Sequence, residues 1–283
     1  MTVSGRIGHQ LRRLPTCLQN VCGSPMQTAD KTDRPFFIIV GNQRSGTNYI
    51  RDIFMRQTDI YPYGEVFFPD VHITHNFDGH FFQFYRDKIA EDKYNIFFNN
   101  GVIFDALFSS YIDEIVQYSP RKISCFDVKS DCFLTVPRLY ECIELMNIRV
   151  LHLHRRDRLG RALSQAVLDR CFNVDEQFNP TRSNTAPSVE LDPALIARML
   201  SAADGFDTFI TKRYPAHQRL SVCYEDLLES PSHWEKIRNF TGFTGDIRPQ
   251  AAFTKRQGLG TKSRVSNYDE IVRFLTDNNL LAP

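Results

Sequence analysis

Phe36-Phe37-Ile38-Ile39-Val40-Gly41-Asn42-Gln43-Arg44-Ser45-Gly46-Thr47 is the stretch that decides the fold. Its first five residues are wholly apolar, the pattern of a strand buried on both faces. A polar turn runs from Gly41 to Thr47, after which Tyr49, Ile50, Ile53 and Phe54 recur at helical spacing. A strand, a tight loop and a helix in that order bring backbone N–H groups and the positive end of a helix to one point, which suits an anion. The glycines let the chain turn tightly and approach a ligand closely. Ser45 and Gly46 lie in the turn, and Thr47 and Asn48 present N–H groups at the helix start.

The loop lacks the Gly-Lys pair of a Walker A motif: Gly46 is followed directly by Thr47, and the cation stands forward at Arg44. No strand ending in a Mg²⁺-holding aspartate is apparent beside it. Without that lysine and carboxylate, the charge of a γ-phosphate goes unneutralised. A sulfuryl group, whose transfer needs no Mg²⁺ clamp, suits the loop better. An ordinary strand–helix turn with an exposed arginine would leave the same trace.

Working outward, Ile123–Val128, Arg149–Leu153 and Arg219–Cys223 read as further strands. Leu159, Ala162, Leu163, Ala166 and Val167 mark one helix face. Ile196, Met199, Leu200, Ala203, Phe206 and Ile210 stripe a long helix that ends near Tyr214-Pro215. Strands alternating with helices predict an α/β fold, a central parallel sheet flanked by helices. Residues 1–34 are polar and weakly periodic and read as an extension, leaving 35–283 as one α/β domain. Ten of the 23 phenylalanines fall between Phe67 and Phe108 and read as core rather than as a ligand platform. The polar, proline-containing stretch from Phe172 to Pro193 reads as a surface loop.

Composition excludes several classes of function. With 34 Lys plus Arg against 33 Asp plus Glu, the formal net charge of +1 argues against a nucleic acid as main partner. No window approaches the ~20 apolar residues of a membrane-spanning helix. The first residues lack the apolar run of a secretory signal. The seven cysteines are odd in number, scattered and without a C-x-x-C pair, so neither a zinc site nor a disulfide framework is expected. They read as reduced thiols of a cytoplasmic protein.

A second anion site follows the strand at 149–153. Arg156 projects from the carboxyl end of that strand, where ligands of open α/β sheets gather. Ser164, eight residues on, sits in the second turn of the next helix and leans back toward the same point. A guanidinium plus a hydroxyl makes a phosphate clamp. A basic helix start on the surface is the alternative, disfavoured because arginines at the positive end of a helix need an anion.

These residues resemble a family. Arg44-Ser45-Gly46-Thr47-Asn48 looks like the 5′-phosphosulfate loop of sulfotransferases that use 3′-phosphoadenosine 5′-phosphosulfate (PAPS). The Arg156-x7-Ser164 spacing matches their 3′-phosphate motif, with Arg158 where many members have proline. Val222-Cys223-Tyr224-Glu225-Asp226-Leu227 resembles the strand-end segment whose tyrosine lies near the adenine. Lys255 and Arg256, within Lys255–Lys262, resemble the start of a C-terminal segment that closes over the nucleotide. The resemblance spans about Pro35 to Leu275 and looks closest to bacterial carbohydrate sulfotransferases of the nodulation-factor and trehalose types. It implies a fold like that of P-loop nucleoside triphosphate hydrolases and PAPS as co-substrate, without a metal. It also implies sulfuryl transfer to a hydroxyl of a sugar or glycolipid.

Transfer to an alcohol needs a base for the hydroxyl proton. The resemblance puts Glu65, in Tyr61-Pro62-Tyr63-Gly64-Glu65, in that role; His72 or His75 is the fallback. Lys129 ends the predicted strand at 123–128 within reach of the bridging oxygen or acceptor, and Arg44 neutralises charge on the leaving group. Two rivals stay open: a P-loop kinase or NTPase, and a non-catalytic nucleotide-binding module.

Overall fold

The computed structural model describes residues 35–67, 81–85, 100–171, 188–245 and 261–281. The 1–34 extension, His72, His75, Lys255 and Arg256 lie outside the described residues. Five parallel strands form one sheet in the order β2-β3-β1-β4-β5. They are β1 (Phe36–Gly41), β2 (Ile60–Pro62), β3 (Ile123–Lys129), β4 (Arg149–His154) and β5 (Arg219–Cys223). Named α-helices accompany them, and residues 81–85 are helical as well. The named helices are α1 (Thr47–Met55), α2 (Asn100–Tyr118), α3 (Ser130–Thr135), α4 (Arg138–Leu145), α5 (Arg158–Cys171), α6 (Pro193–Arg213), α7 (Tyr224–Glu229), α8 (Pro231–Thr241) and α9 (Tyr268–Asp277). The α/β reading and its four strands hold; β2, with only three residues, is an addition.

The strands alternate sides, as their period of two requires. Ile38, Val40, Phe126, Val128 and Val150 face one layer, packed with side chains of α2 and α4 and with Ile210 of α6. Phe37, Ile39, Cys125, Leu151 and Val222 face the other, against Ile50, Ile53 and Phe54 of α1 and Trp234 of α8. Each such buried side chain contributes ~1.5–3 kcal/mol of hydrophobic stabilisation. A third cluster joins α5, α6 and α9 through Leu163, Ile196, Leu200 and Ile271. The aromatic stretch reads as core where it is described: Phe67, Phe81, Phe104 and Phe108 are buried and pack on one another and on Tyr111.

Of the stretch expected to be a loop, residues 172–187 lie outside the described set. Its end is anchored: Val189 pairs with Val265, and the Asn267 side chain bonds the backbone of Leu191 in both directions. Asp192 then caps α6 by accepting from the Ala194 N–H, with Pro193 at the first helical position.

Register decides what meets at the carboxyl edge. Gly41 lies level with Lys129 on one side and Leu153 on the other. His154 lies level with Cys223. The loop after β1, the end of β3, the turn after β4 and the start of α7 therefore face one another. Beyond Pro62 the chain keeps to β3: the Tyr63 N–H donates to the Cys125 carbonyl and the Asp127 N–H to the Gly64 carbonyl. Gly64, with φ +83°, turns the chain and delivers Glu65 to the same edge.

Candidate active site

A cavity of about 230 Å³ opens at that edge, walled by Arg44, Thr47, Glu65, Lys129, Arg155 and Tyr224 among others. Gln43, Arg44 and Gly46 of the loop after β1 line it. Gly46 sits at φ +101° as the cap of α1, with no side-chain cap and no acid in the first turn. The first N–H groups of a helix have no intrahelical partner, so this end carries partial positive charge toward the cavity. A Cβ on Gly46 would lie 2.3 Å from Cδ2 of Tyr224, so only glycine fits. Arg44 also adopts positive φ, 62°.

Lys129 is 2% exposed, and its ammonium donates to Thr47 Oγ1 and lies 3.4 Å from Glu65 Oε1. A buried ammonium is costly unless it is paired, so Glu65 and Lys129 hold each other at the cavity wall. Behind them, one β-period back, Asp127 is fully buried, and neither of its carboxylate oxygens has a hydrogen-bond partner among the described residues. Burial pushes its pKa up to about 6; Lys129 and Arg51 pull it down and Glu65 pushes it further up, without reversing burial. Asp127 is a residue that the sequence reading does not single out. It lies on β3, next to β1, two residues before the strand end. Its signal in the sequence is an acid inside an otherwise apolar strand.

On the other wall, the Arg44 Nε–H donates to Ser164 Oγ at 3.2 Å, joining the loop to α5. Arg44 stands at the open mouth, yet its pKa is lowered, first by loss of hydration and then by the charge of Arg155. Arg155 lies over the Tyr224 ring, 5.1 Å from its centroid, and donates from Nη1 to the Arg44 carbonyl at 3.3 Å. Arg156, the arginine of the spacing motif, points elsewhere: it is 61% exposed and pairs with Asp226 and Glu229. The structure thus brings together Arg44, Ser45, Gly46, Thr47, Asn48, Glu65, Lys129, Ser164 and Tyr224. It leaves the Arg156 side chain on the outer rim. Arg155, which spacing did not single out, takes the inner place.

The loop is braced from below. Asn42 is buried and donates to Asp207 Oδ1 at 3.0 Å and to the Ala203 carbonyl, both on α6. His152 Nε2 meets the same Asp207 oxygen at 3.0 Å, and its Nδ1 meets Ser221 Oγ. Among the described residues, no group of three or more His, Cys, Asp or Glu side chains is arranged to hold a metal ion. Nor is any described helix long and apolar enough to cross a membrane.

A comparison with curated proteins finds no match. Solved structures align over most of their length at low identity. The sulfotransferase domain of the Synechococcus PCC 7002 olefin synthase is 13% identical, covers 92% of this chain and 100% of its own, and has a TM-score of 0.47. A sulfotransferase from Alicyclobacillus acidocaldarius is 15% identical, with coverage of 87% and 96% and a TM-score of 0.43. A mouse sulfotransferase complexed with PAP is 11% identical, with coverage of 87% and 85% and a TM-score of 0.42. The family model described as "Sulfotransferase family" matches residues 35–244, which include the loop, Lys129, the arginines after β4 and Tyr224; the chain belongs to the sulfotransferase family.

Proposed function

We propose that this enzyme moves a sulfuryl group from PAPS to a hydroxyl of a carbohydrate or glycolipid, with Glu65 as general base. The observation that carries the reading is the contact chain Thr47–Lys129–Glu65, which ties the anion-binding loop to a carboxylate across one cleft. In this reading Ser45 to Asn48 wrap the 5′-phosphosulfate, and Tyr224 lies by the adenine. Ser164 takes the 3′-phosphate together with Arg156, which leaves Asp226 to do so. Lys255 and Arg256 close over the nucleotide.

The acceptor hydroxyl attacks sulfur while its proton passes to Glu65. The bond from sulfur to the bridging oxygen breaks, and adenosine 3′,5′-bisphosphate leaves with that electron pair. Lys129 and Arg44 offset the charge that develops on the bridging and phosphate oxygens. The reaction consumes no metal and yields a sulfate ester. We place it in the cytoplasm, where the buried free thiols Cys125, Cys132, Cys142 and Cys223 stay reduced.

The test is an assay of the full chain with radiolabelled PAPS over a panel of sugars and glycolipids, beside the Glu65→Gln variant. Glu65→Gln is expected to lower turnover by roughly 10²- to 10⁴-fold, the span of general-base catalysis, with nucleotide affinity unchanged. Full turnover in that variant removes Glu65 as base. Mg²⁺-dependent release of phosphate from ATP, with no sulfate transfer, moves the assignment to a kinase or NTPase.

A further inference from the structure

Two guanidinium groups share the cavity: Arg44 on the loop and Arg155 on the turn after β4. Among the described residues no carboxylate forms an ion pair with Arg44, whose Nε–H goes to a serine hydroxyl. Arg155 is held from several sides. Its Nε–H points to Glu225 Oε1 at 3.4 Å, Nη2 lies 3.8 Å from Asp157 Oδ2, and its face covers Tyr224. Glu225 is itself fixed, because Oε2 accepts from the Arg156 N–H at 2.9 Å and from the Cys223 thiol at 3.0 Å. Burial would raise the pKa of Glu225, but those hydrogen bonds win and hold it at about 2, so the anchor is an anion at every working pH.

The geometry points to Arg155 as a second anion ligand, forming with Arg44 a two-arginine clamp on the 5′-end of the nucleotide. Like charges placed side by side repel, and an anionic group between them converts that repulsion into two charge-assisted hydrogen bonds. The fork of a guanidinium, stacked on an aromatic ring and tethered at Nε, directs one terminal N–H to the Arg44 carbonyl, and the remaining terminal N–H bonds are those that would meet a phosphate; a lysine has no such shape. Arg155 needs no rearrangement to act, because its anchor and stacking partner already hold it at the wall. This role rests on the donor reading above and adds to it a residue that the Arg156–Ser164 spacing does not include.

Calorimetric titration of the full chain with adenosine 5′-phosphate, adenosine 3′-phosphate and adenosine 3′,5′-bisphosphate tests it. Arg155→Ala is expected to weaken the two ligands that carry a 5′-phosphate by about 10- to 100-fold, the worth of a charge-assisted hydrogen bond, and to leave adenosine 3′-phosphate unchanged. Arg155→Lys keeps the charge but not the fork or the stacking, and it should show the same selectivity with a smaller loss. It carries the test if the alanine variant fails to fold. Equal loss for all three ligands, or none for any, overturns the clamp while leaving the donor reading in place. A wild-type chain that binds none of the three removes the donor reading and the clamp with it.

Discussion

Replacing Asp127 with asparagine should make the protein more stable at neutral pH, and the gain should vanish in acid. Asp127 is fully buried on β3, both its oxygens lack hydrogen-bond partners among the described residues, and its pKa stands at about 6 against an ordinary 3.8. The folded chain therefore keeps this proton to a higher pH than the unfolded chain does. Between about pH 4 and 6 the unfolded state has lost the proton while the native state retains it, so stability falls as pH rises through that window and levels off above it. A shift of roughly two units corresponds to about 3 kcal/mol, about half of which lies between pH 5 and 7. Asparagine cannot ionise, so it escapes this loss, although it also withdraws a negative charge from beside Lys129. Urea unfolding of the wild type and Asp127→Asn at pH 5, 6, 7 and 8 reads the difference directly. The curves should diverge with rising pH, the variant on top. A gap that does not change with pH, or a variant less stable at pH 8, would show that Lys129 and Arg51 compensate the carboxylate fully.

Two further outcomes follow from contacts at the loop. Gly46→Ala forces a side chain into left-handed φ, at about 1–2 kcal/mol, and drives its Cβ onto the Tyr224 ring. It should abolish heat release on titration with adenosine 3′,5′-bisphosphate, and normal binding would refute the close packing of loop and ring. Asp207→Ala leaves Asn42 and His152 without their shared acceptor. A loss of about 1–3 kcal/mol in urea unfolding is expected for such orphaned groups, and no loss would sink the bracing role of α6.

The sheet was readable because its strands are apolar on both faces, which leaves runs such as Phe36–Val40 without polar interruption. The edge strand β2 was not, since Ile60–Pro62 is too short to show a period, and its Tyr61 and the following Tyr63 read equally well as loop. The loop after β1 and the Arg156–Ser164 spacing were legible because both are local in sequence. The Thr47–Lys129–Glu65 chain was not legible as a contact. It depends on Gly41 standing level with Lys129 and on the 62–64 segment following β3, and neither register is written in any single segment. Asp127 leaves a trace in the sequence: a carboxylate in a strand buried on both faces is tolerated only where its charge is compensated or neutralised.

The two arginines after β4 mark the limit of spacing as evidence. A separation of eight residues says that Arg156 and Ser164 start from positions able to reach one point. It does not say which of two adjacent guanidinium groups rests there, because consecutive residues at a strand end leave in opposite directions. Here Arg155 turns inward onto Tyr224, and Arg156 turns outward to Asp226 and Glu229. The outward pair is exposed, and water competes for both partners, so it is a weak restraint. The inward arginine is held by a stacked ring and a carboxylate that is itself fully hydrogen-bonded, which is a strong one. A ligand carrying anionic groups at both ends would therefore meet one arginine already in place and draw the other across. Binding should then show a fast phase set by the 5′-end and a slower one that requires the 3′-phosphate. Stopped-flow quenching of Trp234, which packs against Tyr49 beside Tyr224, gives the readout. A single phase with the bisphosphate and with adenosine 5′-phosphate alike would mean that Arg156 never moves.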